Sequence, residues 1–462
     1  MNARGLLDRP EMRWALAIFA LALALRLITI AVVHPDPRDG RYDDSVWYDT
    51  SARHLADGDG YVFDPAVWVT AGGSRVYPDE DELTPTALWP PGYPVALGAI
   101  YFLTGDGVWA GRLFNAFCGA ATAALVFAIA RRLFGHGPGV AAGLLMAVLP
   151  GHVLFTPLIL GETFFLFLMT ATLAWVLFYV LGRREVSRHA ALVSGVLCGA
   201  TAMVRGEFLL FPLVLLPLLA LHLGVRASLR PAAMLLVGML LLFVPWTVRN
   251  WVQLGEPIAG TTGAGRVALQ GHGPDSDGGP SLIIVGQLEA EFAGLPRDEI
   301  EVRSNSEGTR RAREWALDHP VDELRLIPRR MYALFRSDES AVTWTQSNKP
   351  WFSETNADRL IRTSSLFFYG MIALALIGWP LWWRTGDPAR LLVFAPVPFI
   401  IVMFGVLFIG DPRYHFGMYA PLAVLASPAL AAIWSMTAEQ WREVSGGRSL
   451  GAVLRTFGTP EP

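Results

Sequence analysis

The chain has 462 residues, 53% hydrophobic and 17% charged, with a formal net charge of −3 and a mean hydropathy of +0.40. A soluble domain carries about 25% charged residues, so an ordinary soluble globular protein is excluded, and the lack of a basic stripe or nucleic-acid motif excludes a nucleic-acid partner. The apolar excess is gathered into blocks of about 18–24 residues, long enough to cross a bilayer as helices, which predicts an all-α polytopic membrane protein.

Arg4, Arg9 and Arg13 precede a first apolar block at 14–33. No small-x-small cleavage pattern follows, so this reads as an uncleaved signal anchor. A long loop, 34–108, comes next. Tyr42-Asp43-Asp44 opens an amphipathic helix near 44–56 that stops at Asp57-Gly58, and a Gly/Pro/Asp-rich excursion runs from Asp64 to Glu82. Trp89-Pro90-Pro91-Gly92-Tyr93-Pro94 then starts an apolar helix over 93–104. About twelve residues are too few to span, so this helix is predicted to lie at the interface. Spans follow at 109–131, 139–156, 158–181, 189–205, 208–224 and 231–249. A second long loop covers 250–364. In it Gly260-Thr261-Thr262-Gly263-Ala264-Gly265 and Gly271-His272-Gly273-Pro274 predict turns, and Asp318-His319-Pro320 separates helical stretches at 297–318 and 321–336. The last spans are 365–383, 390–409 and 414–435. Cys118 and Cys198 fall inside apolar blocks and are expected to be buried thiols rather than a disulfide.

With about ten spans, the basic residues of the short loops all fall on the side of the N-terminus: Arg131-Arg132, Arg183-Arg184, Arg188, Arg226, Arg230, Arg384 and Arg390, with Arg442, Arg448 and Arg455 of the tail. That side is then the cytoplasm, both termini are cytoplasmic, and the two long loops face outward from the cytoplasmic (inner) membrane. The expected organisation is a transmembrane core at 1–249 including the first outer loop 34–108, an extracytoplasmic region at 250–364, C-terminal spans at 365–435 and a cytoplasmic tail at 436–462.

The candidate chemistry is acidic and basic groups at the outer membrane surface. Asp43 and Asp44 begin a helix, where one carboxylate serves as a cap and a second is spare to act as a base or a cation ligand. Glu162 is expected about five residues inside the span 158–181, where a buried acid calls for a partner or a cavity. Arg26, Arg112, Arg205, Arg249 and Arg413 sit in or near the outer ends of spans. Arginine's planar fork suits phosphate oxygens, and the alternative for each is an ion pair with Glu162, Glu207 or Asp411, or contact with headgroups. His54, His272 and His415 show no zinc spacing. No cofactor is implied with certainty, a bound divalent cation is compatible with the acids, and no nucleotide-binding loop is present.

Four landmarks in order resemble the membrane glycosyltransferases of family 39 and their bacterial relatives, the protein O-mannosyltransferases and lipid A aminoarabinose transferases with the C-type glycosyltransferase (GT-C) fold. They are Asp43-Asp44-x-x-x-Tyr48 with Ala52 and Gly58, the Pro90-Pro91-Gly92-Tyr93-Pro94 segment, Val244-Pro245-Trp246-Thr247-Val248-Arg249-Asn250, and Arg413-Tyr414 with Pro421. The match covers about residues 12–435. The resemblance implies a GT-C-like bundle of about ten spans with juxtamembrane helices in the first outer loop. It also implies a sugar donor linked to polyprenyl phosphate, an envelope acceptor (lipid, polysaccharide or protein) and an inverting single displacement. Carried over residue by residue, Asp44 is the base, with Asp43 and Glu162 as the other acids. Arg413, Arg249, Arg26 and Tyr414 bind the donor phosphate, and Tyr48, Pro91 and Tyr93 line the pocket. The acidic pair here is Asp-Asp where Asp-Glu is common in the family. The rival class is a lipid or solute transporter or flippase; no inverted repeat or matched pair of broken helices supports it.

Overall fold

The computed structural model describes residues 10–37, 44–67, 82–105, 107–347, 350–383, 387–436 and 444. Asp43, most of the Asp64–Glu82 excursion, Arg384 and nearly all of the 436–462 tail therefore lie outside the described residues. Among the described residues, eight helices are long and apolar enough to cross a membrane: α1 (Pro10–Val32), α4 (Val108–Phe134), α7 (Glu162–Leu181), α9 (Gly206–Leu223), α10 (Val225–Leu254), α16 (Glu354–Ile377), α17 (Pro388–Leu407) and α18 (Tyr414–Ser435). The two remaining expected spans are shorter helices. The stretch 139–156 divides at Leu149-Pro150 into α5 (His136–Val148) and α6 (Pro150–Phe155), because proline supplies no N–H to continue the first helix. The stretch 189–205 is α8 (Arg188–Val204), closed at its start by the Ser187 side chain accepting from the Ala190 N–H. The expected ten-segment pattern thus appears as eight full-length helices and two short positions.

Helices α8 and α10 touch backbone to backbone. A Cβ at Gly195 would collide with the Leu235 carbonyl, and one at Gly238 with the Leu192 carbonyl. Small residues at facing positions allow this approach where no hydrophobic drive separates helix from lipid.

Both long loops lie at one end of the bundle. The first holds α2 (Asp44–Asp57) and α3 (Gly92–Thr104), close to the predicted bounds. Pro91 caps α3, and Gly92 is needed at its first turn because a Cβ there would lie 2.6 Å from the Met203 carbonyl oxygen at the end of α8. A two-residue antiparallel pairing of β1 (Val62–Phe63) with β2 (Thr84–Pro85) closes the intervening excursion. The second loop holds α11 (Gly263–Gly271), α12 (Leu282–Ala290), α13 (Arg297–Asp318), α14 (Pro320–Phe335) and α15 (Ser340–Gln346). The turn predicted at Gly260–Gly265 is corrected in part: Gly263 and Gly265 belong to α11, and their missing Cβ atoms let α11 approach the Leu88 and Asn305 carbonyls. At these glycines the close approach, rather than backbone freedom, is what a side chain would disturb.

Glu301 joins the two loops. Its carboxylate, 1% exposed, accepts from Thr86 Oγ1 at 2.7 Å, the Ala87 N–H at 2.8 Å and Thr262 Oγ1 at 2.5 Å. Replacing it with leucine leaves three buried donors without an acceptor, each worth about 1–3 kcal/mol when unsatisfied. Glu301→Leu is therefore expected to lower the thermal midpoint of the purified protein markedly, as read by differential scanning fluorimetry. A surface change such as Glu314→Leu serves as the neutral comparison.

Candidate active site

The first turn of α2, the start of α7, the end of α8 and the turn before α18 converge on one group of charges. Asp44 opens α2, where the helix dipole favours a carboxylate. Glu162 is the first residue of α7 rather than a residue inside it, as the sequence suggested. Pro157 and Gly161 interrupt the helix between α6 and α7, so the chain arrives at Glu162 as a turn. Burial then comes from surrounding protein, and Glu162 is 1% exposed.

Arg413 stands between these acids. Its Nη1 donates to Asp44 Oδ2 at 2.5 Å, and its Nε donates to Glu162 Oε1. Arg205, the residue that ends α8, donates from Nη1 to the same Glu162 oxygen at 3.0 Å and from Nε to Glu207 at 2.7 Å. Two arginines and three carboxylates thus share one chain of contacts, with Glu162 at its centre. Glu162 Oε2 is buried and has no hydrogen-bond partner among the described residues. Burial by itself would lower the pKa of Arg413, but the Glu162 and Asp44 carboxylates hold it well above its ordinary value, so the guanidinium is a fixed cation. The Trp344 ring of α15 covers it, 4.7 Å from ring centroid to guanidinium carbon.

The turn that carries Arg413 is held from several directions. The Arg413 N–H donates to Asp411 Oδ1 at 2.7 Å, and the Gly410 N–H to the Gly278 carbonyl at 2.8 Å. Tyr414 lies under Arg205, 5.2 Å from its guanidinium carbon, and stacks on Phe404 at 4.0 Å. Beyond it, buried His415 contacts the Leu334 carbonyl at 2.8 Å and Asp338 Oδ1 at 3.1 Å, while Ser364 donates to Asp338 Oδ2 at 2.6 Å.

The predicted pocket residues follow the same geometry. Tyr48, one turn along α2 from Asp44, meets Tyr93 edge to face at 5.3 Å. Burial, then the Asp44 charge, push the Tyr48 phenol well above its usual pKa, which leaves it a neutral donor. Tyr93 donates to Asn115 Oδ1 at 3.1 Å and is buried. Pro91 and Gly92 line a cleft of about 930 Å³ with Phe164, Leu168, Leu242, Trp246 and Arg249. Asp44, Tyr48, Tyr93, Glu162 and Arg413 are not among the residues that line this cleft. Arg249 heads it while donating to the Thr86 carbonyl at 2.6 Å and the Tyr61 carbonyl at 2.5 Å.

Arg26 is placed differently from the other arginines. It is buried between α1 and the α5–α6 bend, donating to the Ala22 and Ala147 carbonyls at 2.9 and 3.2 Å, with His152 Nδ1 at 2.7 Å. The structure does not bring it into hydrogen-bond contact with Asp44, Glu162 or Arg413. Arg112 is likewise committed to carbonyls, those of Pro157 at 3.1 Å and Pro35 at 2.5 Å. Among the described residues no group of three or more His, Cys, Asp or Glu side chains is placed to hold a metal ion. Sequence reasoning missed Trp344 as part of the site. The ion-pair alternative for Arg205 is the one found, with both Glu162 and Glu207, whereas no local signal singles out Trp344.

Residues 89–251 match the family model described as dolichyl-phosphate-mannose-protein mannosyltransferase. No curated protein matches the chain. Among solved structures, the archaeal oligosaccharyltransferase AglB from Archaeoglobus fulgidus, in complex with an inhibitory peptide and a dolichol-phosphate, superposes with a TM-score of 0.52 at 15% identity. The match covers 96% of this chain and 53% of that one, so this chain spans about half the length of AglB. An Archaeoglobus fulgidus oligosaccharyltransferase tethered with an acceptor peptide gives 0.51 at 16% identity, covering 97% and 52%. ArnT from Cupriavidus metallidurans bound to undecaprenyl phosphate gives 0.43 at 17% identity, covering 92% and 81%. The resemblance read from the sequence therefore holds at the level of fold: the chain is a helical membrane bundle with the GT-C glycosyltransferase architecture.

Proposed function

We propose that this protein is an inverting glycosyltransferase that takes a sugar from a polyprenyl-phosphate carrier and passes it to a hydroxyl of an envelope acceptor at the outer face of the cytoplasmic membrane. The observation that carries the reading is the buried Asp44–Arg413–Glu162 bridge at the loop end of the bundle; the same chain has a mostly apolar cleft of about 930 Å³ whose lining includes Arg249. The dolichol-phosphate in the AglB complex supports it by analogy of fold.

In the proposed reaction the prenyl chain lies along Leu168, Leu242 and Val95 with the phosphate at Arg249, and the sugar extends toward Asp44 and Arg413. Asp44 engages Arg413 through Oδ2, and its other oxygen accepts the proton of the acceptor hydroxyl. The acceptor oxygen forms a bond to the anomeric carbon as the bond from that carbon to the phosphate oxygen breaks. The phosphate leaves with the electron pair, and preorganised guanidinium groups offset its growing charge. Glu162 keeps Arg413 and Arg205 oriented for that task. Asp43 is the remaining acid of the pair, with Tyr414, Tyr48, Pro91 and Tyr93 shaping the walls.

The cleft gives a direct test. Full-length protein in nanodiscs is expected to retain undecaprenyl phosphate in native mass spectrometry at least about ten-fold more tightly than undecaprenol, since a charge-assisted hydrogen bond contributes about 1.5–3 kcal/mol. Ala200→Trp, which fills the cleft wall, is expected to abolish retention. Equal retention of phosphate and alcohol would refute the donor assignment.

A further inference from the structure

Asp338 is buried in the short turn between α14 and α15, and its carboxylate gathers donors from two other parts of the chain. Ser364 of α16 donates to Oδ2 at 2.6 Å, Tyr419 of α18 donates to Oδ1, and His415 Nε2 lies 3.1 Å from Oδ1. The Asp338 N–H donates to Ser365 Oγ at 2.9 Å. The α6 backbone closes in on the same group: a Cβ on Gly151 would lie 2.5 Å from Asp338 Oδ2 and 3.0 Å from Ser364 Oγ.

His415 has an acceptor at each edge of its ring. Nδ1 lies 2.8 Å from the Leu334 carbonyl, which can only accept, so Nδ1 carries a hydrogen. At the other edge Asp338 already accepts from two hydroxyls, as an ionised carboxylate does, so Nε2 carries a hydrogen as well. The ring is then an imidazolium facing a carboxylate, both buried, with Phe368 stacked on it at 4.1 Å. Burial by itself would raise the Asp338 pKa, but His415 and the Ser364 and Tyr419 hydroxyls hold it below its ordinary value.

The two partners of this pair belong to the two segments that frame Arg413. His415 stands two residues beyond Arg413, in the first turn of α18. Asp338 stands two residues before α15, the helix that lays the Trp344 ring over the Arg413 guanidinium. We propose that Asp338 is a positioning residue of the active site: through its ion pair with His415 it locks the turn that presents Arg413 to the start of the helix that covers Arg413. Its effect on turnover rests on the proposed reaction, whereas the ion pair itself does not.

The test compares Asp338→Asn with Ser364→Ala in full-length protein in nanodiscs. The first removes the charge that His415 faces; the second removes a hydrogen bond from the same carboxylate and leaves the pair. Per folded molecule, Asp338→Asn is expected to lower kcat at least about ten-fold and to leave KM for the lipid-linked sugar within about two-fold. Ser364→Ala is expected to lower the thermal midpoint and keep both constants. Nitrogen-15 spectra of histidine-labelled protein read the pair without substrate, with His415 assigned by its absence from His415→Gln. The native ring is expected to carry hydrogens on both nitrogens at neutral pH, and the Asp338→Asn ring on Nδ1 alone. A neutral His415 ring in the native protein would overturn the ion pair, and that measurement stands even if Asp338→Asn does not fold. An equal loss of kcat in the two variants would overturn the positioning role and leave Asp338 a structural residue. Transfer absent from the native protein itself would instead refute the proposed reaction.

Discussion

Replacing Arg413 with alanine is expected to eliminate glycosyl transfer and to destabilise the protein in the same step. The guanidinium reaches Asp44 Oδ2 at 2.5 Å and also holds Glu162, whose side chain is 1% exposed. Removing one partner of a buried ion pair leaves an uncompensated charge and costs about 3–5 kcal/mol. Arg205 stays on Glu162 at 3.0 Å, which places the expected loss toward the lower end. Arg413→Lys separates the two effects. Lysine keeps the charge but has no planar fork to join two carboxylates, so it is expected to recover much of the stability and little of the turnover. Thermal unfolding and donor consumption, measured side by side on the purified variants, check this. An Arg413→Lys protein with full activity would show that a point charge suffices and that the bridge has no chemical role.

Asp44→Asn is the second large expected effect, and it has the opposite profile. The Asp44 side chain is 20% exposed, and an amide oxygen still accepts from Arg413, so the thermal midpoint is expected to stay near that of the unsubstituted protein. An amide cannot take a proton, and loss of a positioned base reduces turnover by about 10²–10⁴-fold. The measurement is the rate at which polyprenyl phosphate is released from the glycosylated carrier by protein in nanodiscs. Unchanged release would reduce Asp44 to a first-turn carboxylate that stabilises α2. Glu162→Gln supplies the contrast: it weakens a fully buried network, so both readouts are expected to fall.

The helices around the site were readable from the sequence because local rules set them. Asp57-Gly58 ends α2 where the positive φ of Gly58, 94°, requires it. Pro91 starts α3, and Asp318-His319-Pro320 divides α13 from α14 at the expected place. Apolar block length likewise gave the spans, except at α8, which is shorter than a span, and where Pro150 and Pro157 cut a continuous apolar stretch into α5, α6 and α7. That interruption decides the site, since it converts Glu162 from a residue within a span to the start of one. What remained hidden depends on distant pairing. Asp44 and Arg413 are 369 positions apart, and Thr86 and Glu301 are 215 apart. No periodicity or turn signal in one segment records such a partner. Arg26 and Arg413 looked alike as lone arginines near the outer membrane surface. Only packing separates them, because Arg26 is surrounded by carbonyls of α1 and α5 and Arg413 by carboxylates.

The central claim is that the protein consumes a sugar carried on polyprenyl monophosphate, with Asp44 as the base. The most direct measurement is mass spectrometry of lipid extracts from cells lacking the protein, complemented with the native sequence or with Asp44→Asn. The account predicts that one polyprenyl-monophosphate sugar accumulates in the deletion and in the Asp44→Asn strain and is cleared by the native protein. If the Asp44→Asn protein, expressed to the same level, clears that lipid as the native one does, or if no such lipid changes in any strain, the account is contradicted.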